Sequence, residues 1–411
     1  MKLRKDQIHH LAFEGGGGKG AAYLGALGVM ADPKVGLLKP ANDGTTQGAV
    51  LDKTKVARIS GASAGAITAT LLACGYSLQE ILQVVTSSEL LKFYDPPRFY
   101  RPRIGKSRAI SEFEEPSLAG RDGEEARKRF EVAKGIAHAV RVAASLIKQI
   151  LSLIKIPIAS FPTAFQTSID SPEICERYVL SLLTDYGMYS GAGARRFFDD
   201  MIARKTIIGR TATHGVTFAQ FLGTHQVDLQ LVGTRLETGT AHYFSAVHTP
   251  DFRVADAVRI SMSIPLLFKP VVIRKGDFPD DHDLVGTWVD GGLINNLPIH
   301  AFDDNDVISP HVLGVRLGVD GWTPIQSFGD FLGRLVDAAL AGGEKGQIRT
   351  QQEQDQTLEL PIGRLSTFEF SAPRDVINEA VKQSASATMA YFGLDQTTSS
   401  FLNKEFNITR R

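Results

Sequence analysis

Arg58-Ile59-Ser60-Gly61-Ala62-Ser63-Ala64-Gly65-Ala66-Ile67 is the stretch on which the reading of this chain turns. Val56 and Ile59, apolar and β-branched, read as the end of a strand. Gly61 to Gly65 then form a sharp turn, and Ala66-Ile67-Thr68-Ala69-Thr70-Leu71-Leu72 opens a helix. Gly-x-Ser-x-Gly between strand and helix is a nucleophile elbow, which holds a serine hydroxyl at the tip of a strained turn. Ala62 and Ala64 are small because such a turn crowds its neighbours. The helix that follows points its free N–H groups at any anion formed beside Ser63. A five-residue pattern is short, and the competing reading is a packing turn built from small residues. Stretches on either side discriminate.

Upstream, Ile8 to Phe13 reads as a buried strand. It runs into Glu14-Gly15-Gly16-Gly17-Gly18-Lys19-Gly20 and then a helix from Ala21 to Met30. A glycine loop between strand and helix gathers backbone N–H groups into an anion nest. A Walker loop fails, because it needs glycine at Phe13 and a hydroxyl at Gly20. A dinucleotide fingerprint matches formally at Gly15, Gly17 and Gly20, but lacks a second strand ending in an acidic ribose ligand, since Asp32 precedes Pro33. The third anion is the oxyanion of a tetrahedral acyl intermediate, which suits a chain whose next motif is Gly-x-Ser-x-Gly.

Composition narrows the class. The 411 residues are 43% hydrophobic and 22% charged, enough for a large core. Lys plus Arg and Asp plus Glu are 45 each, so net charge points to no nucleic-acid partner. Two cysteines, Cys74 and Cys175, give neither a metal cluster nor a disulfide framework. No metal or cofactor is expected. The charged start, Met1 to Asp6, is not followed by a signal-type apolar segment, and no stretch is long and apolar enough to span a bilayer. These features predict a cytoplasmic protein.

Downstream, Pro40 to Lys53 reads as a polar surface loop. Ser77-Leu78-Gln79-Glu80 starts a helix over Leu78 to Ser87 with a capping box. Asp95-Pro96-Pro97 breaks structure, and Ser111 to Glu131 is dense in charge. Val132 to Ile158 is apolar at helical spacing, with Arg141, Lys148 and Lys155 among the apolar positions. Such a basic amphipathic helix is either a membrane-surface element or one packed on the core. Helices follow at Ile174 to Leu183, Gly191 to Ala203 and from Thr217. Asp228 to Thr234 and His242 to Val247 alternate as paired strands do. A helix at Val254 to Ser261 precedes strands at Lys269 to Arg274, at Thr287 to Val289 and at His311 to Leu317. Phe328 to Leu340 and Asp375 to Phe392 read as helices, with a polar linker around Gln347 to Gln356. Strand–helix alternation argues for an α/β layered fold.

The strand at Thr287 runs into Asp290-Gly291-Gly292. Alone, Asp-Gly-Gly is a turn. A carboxylate at one strand end, beside a serine at another, can also take the serine proton as general base and return it to a leaving group. Gly15 to Gly20, Gly61-Ala62-Ser63-Ala64-Gly65 and Asp290-Gly291-Gly292, in that order and each at a strand end, resemble the patatin-like phospholipase family. The resemblance extends to Ser261-Met262-Ser263-Ile264-Pro265 with Phe268 and Pro270, and to Asn296 and Pro298. It covers roughly residues 8–75 and 228–318.

The resemblance implies a three-layer α/β/α fold with a mostly parallel central sheet over residues 1–320. A largely helical insertion is expected at about 88–190, and a mainly helical C-terminal segment, 321–411, packs on the same domain. It implies a Ser–Asp dyad, with Ser63 as nucleophile and Asp290 as base, and an oxyanion hole from the N–H groups of Gly16, Gly17, Gly18 and Ala64. The substrates implied are phospholipids or lysophospholipids; a peripheral membrane surface and a protein activator are the further partners. Some relatives are bacterial effectors exported without an N-terminal signal, which is the alternative to an ordinary cytoplasmic location. Glu14 departs from the family, placing a carboxylate where a small or hydroxyl residue is usual. Three rival readings stand beside this one: a serine esterase with a Ser-Asp-His triad using His300 or His311, an acyltransferase on the same elbow, and a non-catalytic lipid-binding module.

Overall fold

The structure, a computed structural model, describes residues 2–41, 48–87, 90, 93, 128, 131–142, 172–209, 211–275, 277, 284–304, 307–318, 334–335, 338–339, 350–367, 372–394 and 402–403. At its centre is an eight-stranded mixed sheet: β1 (His10–Phe13), β2 (Arg58–Gly61), β3 (Asp228–Arg235), β4 (Thr240–Phe244), β5 (Val271–Ile273), β6 (Gly286–Asp290), β7 (Val312–Leu317) and β8 (Thr357–Leu360). The order is β5-β6-β3-β2-β1-β7-β8, with β4 also paired to β3. From β3 through β8 the strands are parallel; β4, β5 and β6 are antiparallel to their neighbours.

Central parallel strands are buried on both faces and so read as continuous apolar runs. Leu11, Phe13, Ile59, Leu231, Leu313 and Val315 are all within 1% of fully buried. Burying each large side chain is worth roughly 1.5–3 kcal/mol. Helices cover the sheet: α1 (Tyr23–Met30), α2 (Ala64–Cys74), α3 (Leu78–Thr86), α4 (Pro172–Asp185), α5 (Ala192–Lys205), α6 (Val254–Ser261) and α7 (Arg374–Tyr391). α2 lies on β1 and β2, α6 on β3 and β6, and α7 on β8 and α1. This is the three-layer, mostly parallel architecture expected from the sequence.

Local signals landed closely. The capping box at α3 is formed, with the Glu80 N–H donating to Ser77 Oγ (3.3 Å) and the Ser77 N–H to Glu80 Oε2 (2.8 Å). Three expectations need correction. Part of the Pro40 to Lys53 loop is a short antiparallel pair, Leu38–Pro40 with Ala49–Leu51. The polar linker at 347–356 contains a helix, Gln351–Asp355, whose N-cap Thr350 accepts from the Glu353 N–H at 3.2 Å. Directly after it, Thr357–Leu360 adds the edge strand β8, which the sequence reading missed. Of the basic amphipathic segment, residues 132–142 are helical; Lys148 and Lys155 lie outside the described residues. Arg141 is bound to Glu176 at 3.0 Å, so its charge is matched within the chain. The expected helix at 328–340 lies almost wholly outside the described residues.

Candidate active site

β2 delivers the elbow. Ser63, just beyond its end, has φ 50° and ψ −120°, a conformation that a residue with a Cβ adopts only at a cost of about 1–3 kcal/mol. The turn is held by close approach. A Cβ on Gly65 would lie 2.2 Å from the carbonyl oxygen of Phe13 on β1, and one on Gly61 would lie 2.4 Å from the carbonyl of Gly65. Strand, turn and helix are therefore nearer to one another than any residue but glycine permits. Ser63 is 2% exposed, and its N–H donates to Ser261 Oγ at 3.0 Å.

β6 delivers Asp290 from the opposite direction. Gly61 is in register with Leu231 of β3, and Asp290 with Gly233, two residues further on. Both contacts fall on one edge of β3, because Phe244 and His242 of β4 meet the same two residues on the other. Parallel β2 and antiparallel β6 thus end facing one another, and Ser63 and Asp290 meet there. The Asp290 N–H donates to the Ser263 carbonyl (3.0 Å), and the Gly292 N–H donates to Asp290 Oδ1 (2.8 Å).

Complete burial pushes the Asp290 carboxyl up from the ordinary 3.8 to about 7. The neighbouring Ser63 hydroxyl and the Gly292 N–H partly offset that rise. Oδ2 accepts no hydrogen bond of ordinary geometry among the described residues, so the approach of the Ser63 hydroxyl is looser than a formed bond. Catalytic hydrogen bonds are commonly long before substrate tightens them, and a general base works best with its pKa near the working pH.

The glycine loop follows β1. Among the described residues the N–H groups of Gly16, Gly17 and Ala64 have no backbone acceptor, as befits a loop and the first residue of a helix. Gly18 corrects the expected set of four donors. Its N–H is given to the carbonyl of Thr367 at 3.1 Å, and so is not open to an anion in this structure. Glu14 is held by residues from other parts of the chain. Its carboxylate accepts from the Asn296 amide at 3.0 Å and from the Leu317 N–H, tying the ends of β1 and β7 to the turn after Asp290. Asn296 also holds Gly15, accepting its N–H at 3.0 Å and donating to its carbonyl at 3.3 Å.

Neither rival histidine reaches the site. His300 is bound through both ring nitrogens, Nδ1 to Asp303 (2.7 Å) and Nε2 to Glu353 (3.2 Å). His311 precedes β7 at the end of the sheet opposite the glycine loop, with Nδ1 on the Gln7 carbonyl (2.9 Å). Among the described residues no three His, Cys, Asp or Glu side chains cluster to hold a metal ion, and no helix is long and apolar enough to cross a membrane. A mostly apolar cavity of about 60 Å³ lies against Gly17, Gly18 and Ala64, walled further by Ile67, Ile81 and Phe93. Ser261 and Asn296 lie within the family resemblance, but their sequence context assigns them no role. A hydroxyl at the end of α6 and an amide six residues past Asp290 were the available signals.

A protein of Acanthamoeba polyphaga mimivirus, described as uncharacterized protein R571, is 25% identical over 304 residues, which are 74% of this chain and 64% of that protein. Among solved structures, VipD from Legionella pneumophila is similar at a TM-score of 0.46 and 17% identity, over 94% of this chain and 67% of that one. ExoU, in its heterodimeric complex with SpcU from the type III secretion system of Pseudomonas aeruginosa, is similar at 0.37 and 20%, over 95% and 52%. Both structural likenesses are loose. The family model for patatin-like phospholipases matches residues 11–303, from the first residues of β1 to beyond Asp290. With an elbow serine, a buried aspartate and a glycine loop inside that span, the chain belongs to the patatin-like phospholipase family.

Proposed function

We propose that the protein is a serine acyl hydrolase of phospholipids or lysophospholipids, working through Ser63 and Asp290 without a histidine. The observation that carries this is the meeting of a strained elbow serine with a fully buried aspartate whose carboxyl titrates near neutrality. Asp290, ionised, takes the Ser63 proton as Oγ attacks the ester carbonyl carbon. The carbonyl oxygen becomes an oxyanion, for which Gly16, Gly17 and Ala64 supply N–H donors and the N-terminus of α2 a favourable dipole. Collapse expels the alcohol, which leaves with the proton from Asp290. Water, deprotonated by the same carboxylate, then releases the fatty acid and restores Ser63. No step uses a metal or cofactor.

The apolar cavity beside Ala64 suits the carbons of an acyl chain nearest the reacting carbonyl. At about 60 Å³ it is well under half of the roughly 150 Å³ that accommodates benzene, so a whole fatty acyl chain needs further room. The proposed chemistry needs no activator, and one arm of the test asks whether a protein partner raises the rate at a site where Ser63 and Asp290 are both buried. The test is release of fatty acid from phosphatidylcholine and lysophosphatidylcholine vesicles, with and without a eukaryotic cell extract. Hydrolysis by the wild type and none by Ser63→Ala supports the proposal. Equal release by both proteins overturns it.

A further inference from the structure

The turn that ends α6 touches both reacting residues through their backbones. Ser261 Oγ accepts the N–H of Ser63 at 3.0 Å, and two residues on, the carbonyl of Ser263 accepts the N–H of Asp290 at 3.0 Å. Both serines are fully buried. β2 and β6 are not paired with each other; each reaches the site through its own bonds to β3. Their ladders bring the two strand ends together only through β3, and this turn is the direct bridge between the peptides of nucleophile and base.

The turn is itself anchored. Ser263 Oγ donates to the Arg259 carbonyl at 2.6 Å and accepts from the Arg259 guanidinium. That guanidinium, 5% exposed, also donates to the carbonyls of Ser190 (2.8 Å) and Lys269 (2.7 Å). Two other segments of chain, at Ser190 and Lys269, thus lock the end of α6 in place. The Ser63 peptide, whose φ is already strained, is oriented by its N–H, and Ser261 is the group that receives it.

We infer that Ser261 is a positioning residue: it sets the separation between the Ser63 hydroxyl and Asp290, and the Ser261–Ser263 turn is the common mount of nucleophile and base. The inference rests on the Ser63–Asp290 reading above. Its consequences go beyond stability. Acyl transfer depends on a reacting geometry held to a few tenths of an ångström, and a displacement near 1 Å can cost about 10²-fold in rate. A Ser63 hydroxyl that drifts away also ceases to support the ionised form of Asp290.

The experiment is steady-state kinetics of Ser261→Ala on a soluble p-nitrophenyl ester across pH, together with the rate of labelling by a fluorophosphonate. The mount predicts a kcat lowered about 10- to 100-fold, a KM within about twofold of wild type, and labelling slowed by a similar factor. The acidic limb of the rate profile moves to higher pH. Thr388→Ala is the matched control, since it removes another fully buried hydroxyl, one bonded to the Ser384 carbonyl at 2.7 Å on α7. It should leave kcat and the limb unchanged per folded molecule. Should Ser261→Ala fail to fold, Ser261→Cys, nearly the same volume but a weaker acceptor, carries the same readouts with a smaller effect. Wild-type kcat and an unmoved limb in the Ser261 variant overturn the inference. So does a loss that only tracks the folded fraction, as in Thr388→Ala. If Ser63→Ala is as active as wild type, the dyad itself has failed; if Ser63→Ala is dead while Ser261→Ala is normal, only the mount has.

Discussion

The two strands that build the site reach it by opposite means. At the end of β2 the signal is local: two glycines admit close approach, two alanines keep the turn narrow, and the serine sits between them, with only its N–H received from afar, by Ser261. At the end of β6 almost nothing is local. Asp290 is placed by the antiparallel register with β3, which sets it beside the elbow, and its carboxyl group is fully buried by the fold. A strained backbone is written in adjacent residues; a shifted proton affinity is written in the whole sheet. That contrast says where each half of the site is vulnerable.

Removing the local half should have the largest effect. Ser63→Ala deletes the nucleophile and relieves nothing that the core depends on, so ester hydrolysis should disappear while the melting temperature stays within a few degrees of wild type. Fatty-acid release and calorimetry check this together. Asp290→Asn attacks the other half. It keeps the shape but cannot take a proton, and turnover should drop by about 10²-fold or more, the usual contribution of a general base. His300→Ala and His311→Ala, measured in the same assay, should keep substantial activity per folded molecule.

The pH dependence sharpens the comparison, because only the β6 half titrates. With Asp290 near 7, kcat should fall about tenfold per pH unit below that value and level off above it. Stability should run the other way. A carboxyl whose pKa is raised by folding binds its proton more tightly when folded, so its contribution is fully present below about 4 and is lost as pH rises to about 7. One such group changes stability by at most about 1.4 kcal/mol per pH unit over that window. Asp290→Asn should therefore be the more stable protein at pH 8, and the advantage should vanish at pH 4. Chemical denaturation at the two pH values measures it. An effect smaller still, on stability alone, is expected away from the site: Ser77→Ala breaks the capping box of α3 and should cost about 1 kcal/mol with kcat untouched.

The same division explains what could be read from the chain. α6 was legible to the residue, Val254–Ser261, and the α3 cap was legible from four letters, because helix limits depend on neighbours in sequence. β8 was not, because Thr357-Leu358-Glu359-Leu360 follows a polar helix and becomes a strand only by pairing with β7. Ser63 and Asp290, the proposed dyad, could be named from the sequence, and the structure puts them side by side. The burial that tunes Asp290 was not legible, nor was the carbonyl of Thr367 on the Gly18 N–H, which comes from a segment far along the chain. Glu14 looked out of place until Asn296 and the Leu317 N–H, brought in by β6 and β7, gave its carboxylate partners.

The most direct test of the account is to map the phosphonate adduct by peptide mass spectrometry as a function of pH. The account predicts a single modified residue, Ser63. Its labelling rate in the wild type should rise with pH to a midpoint near 7, and in Asp290→Asn should be slow and flat. An adduct on another residue, or labelling of Asp290→Asn at the wild-type rate and pH dependence, would contradict it.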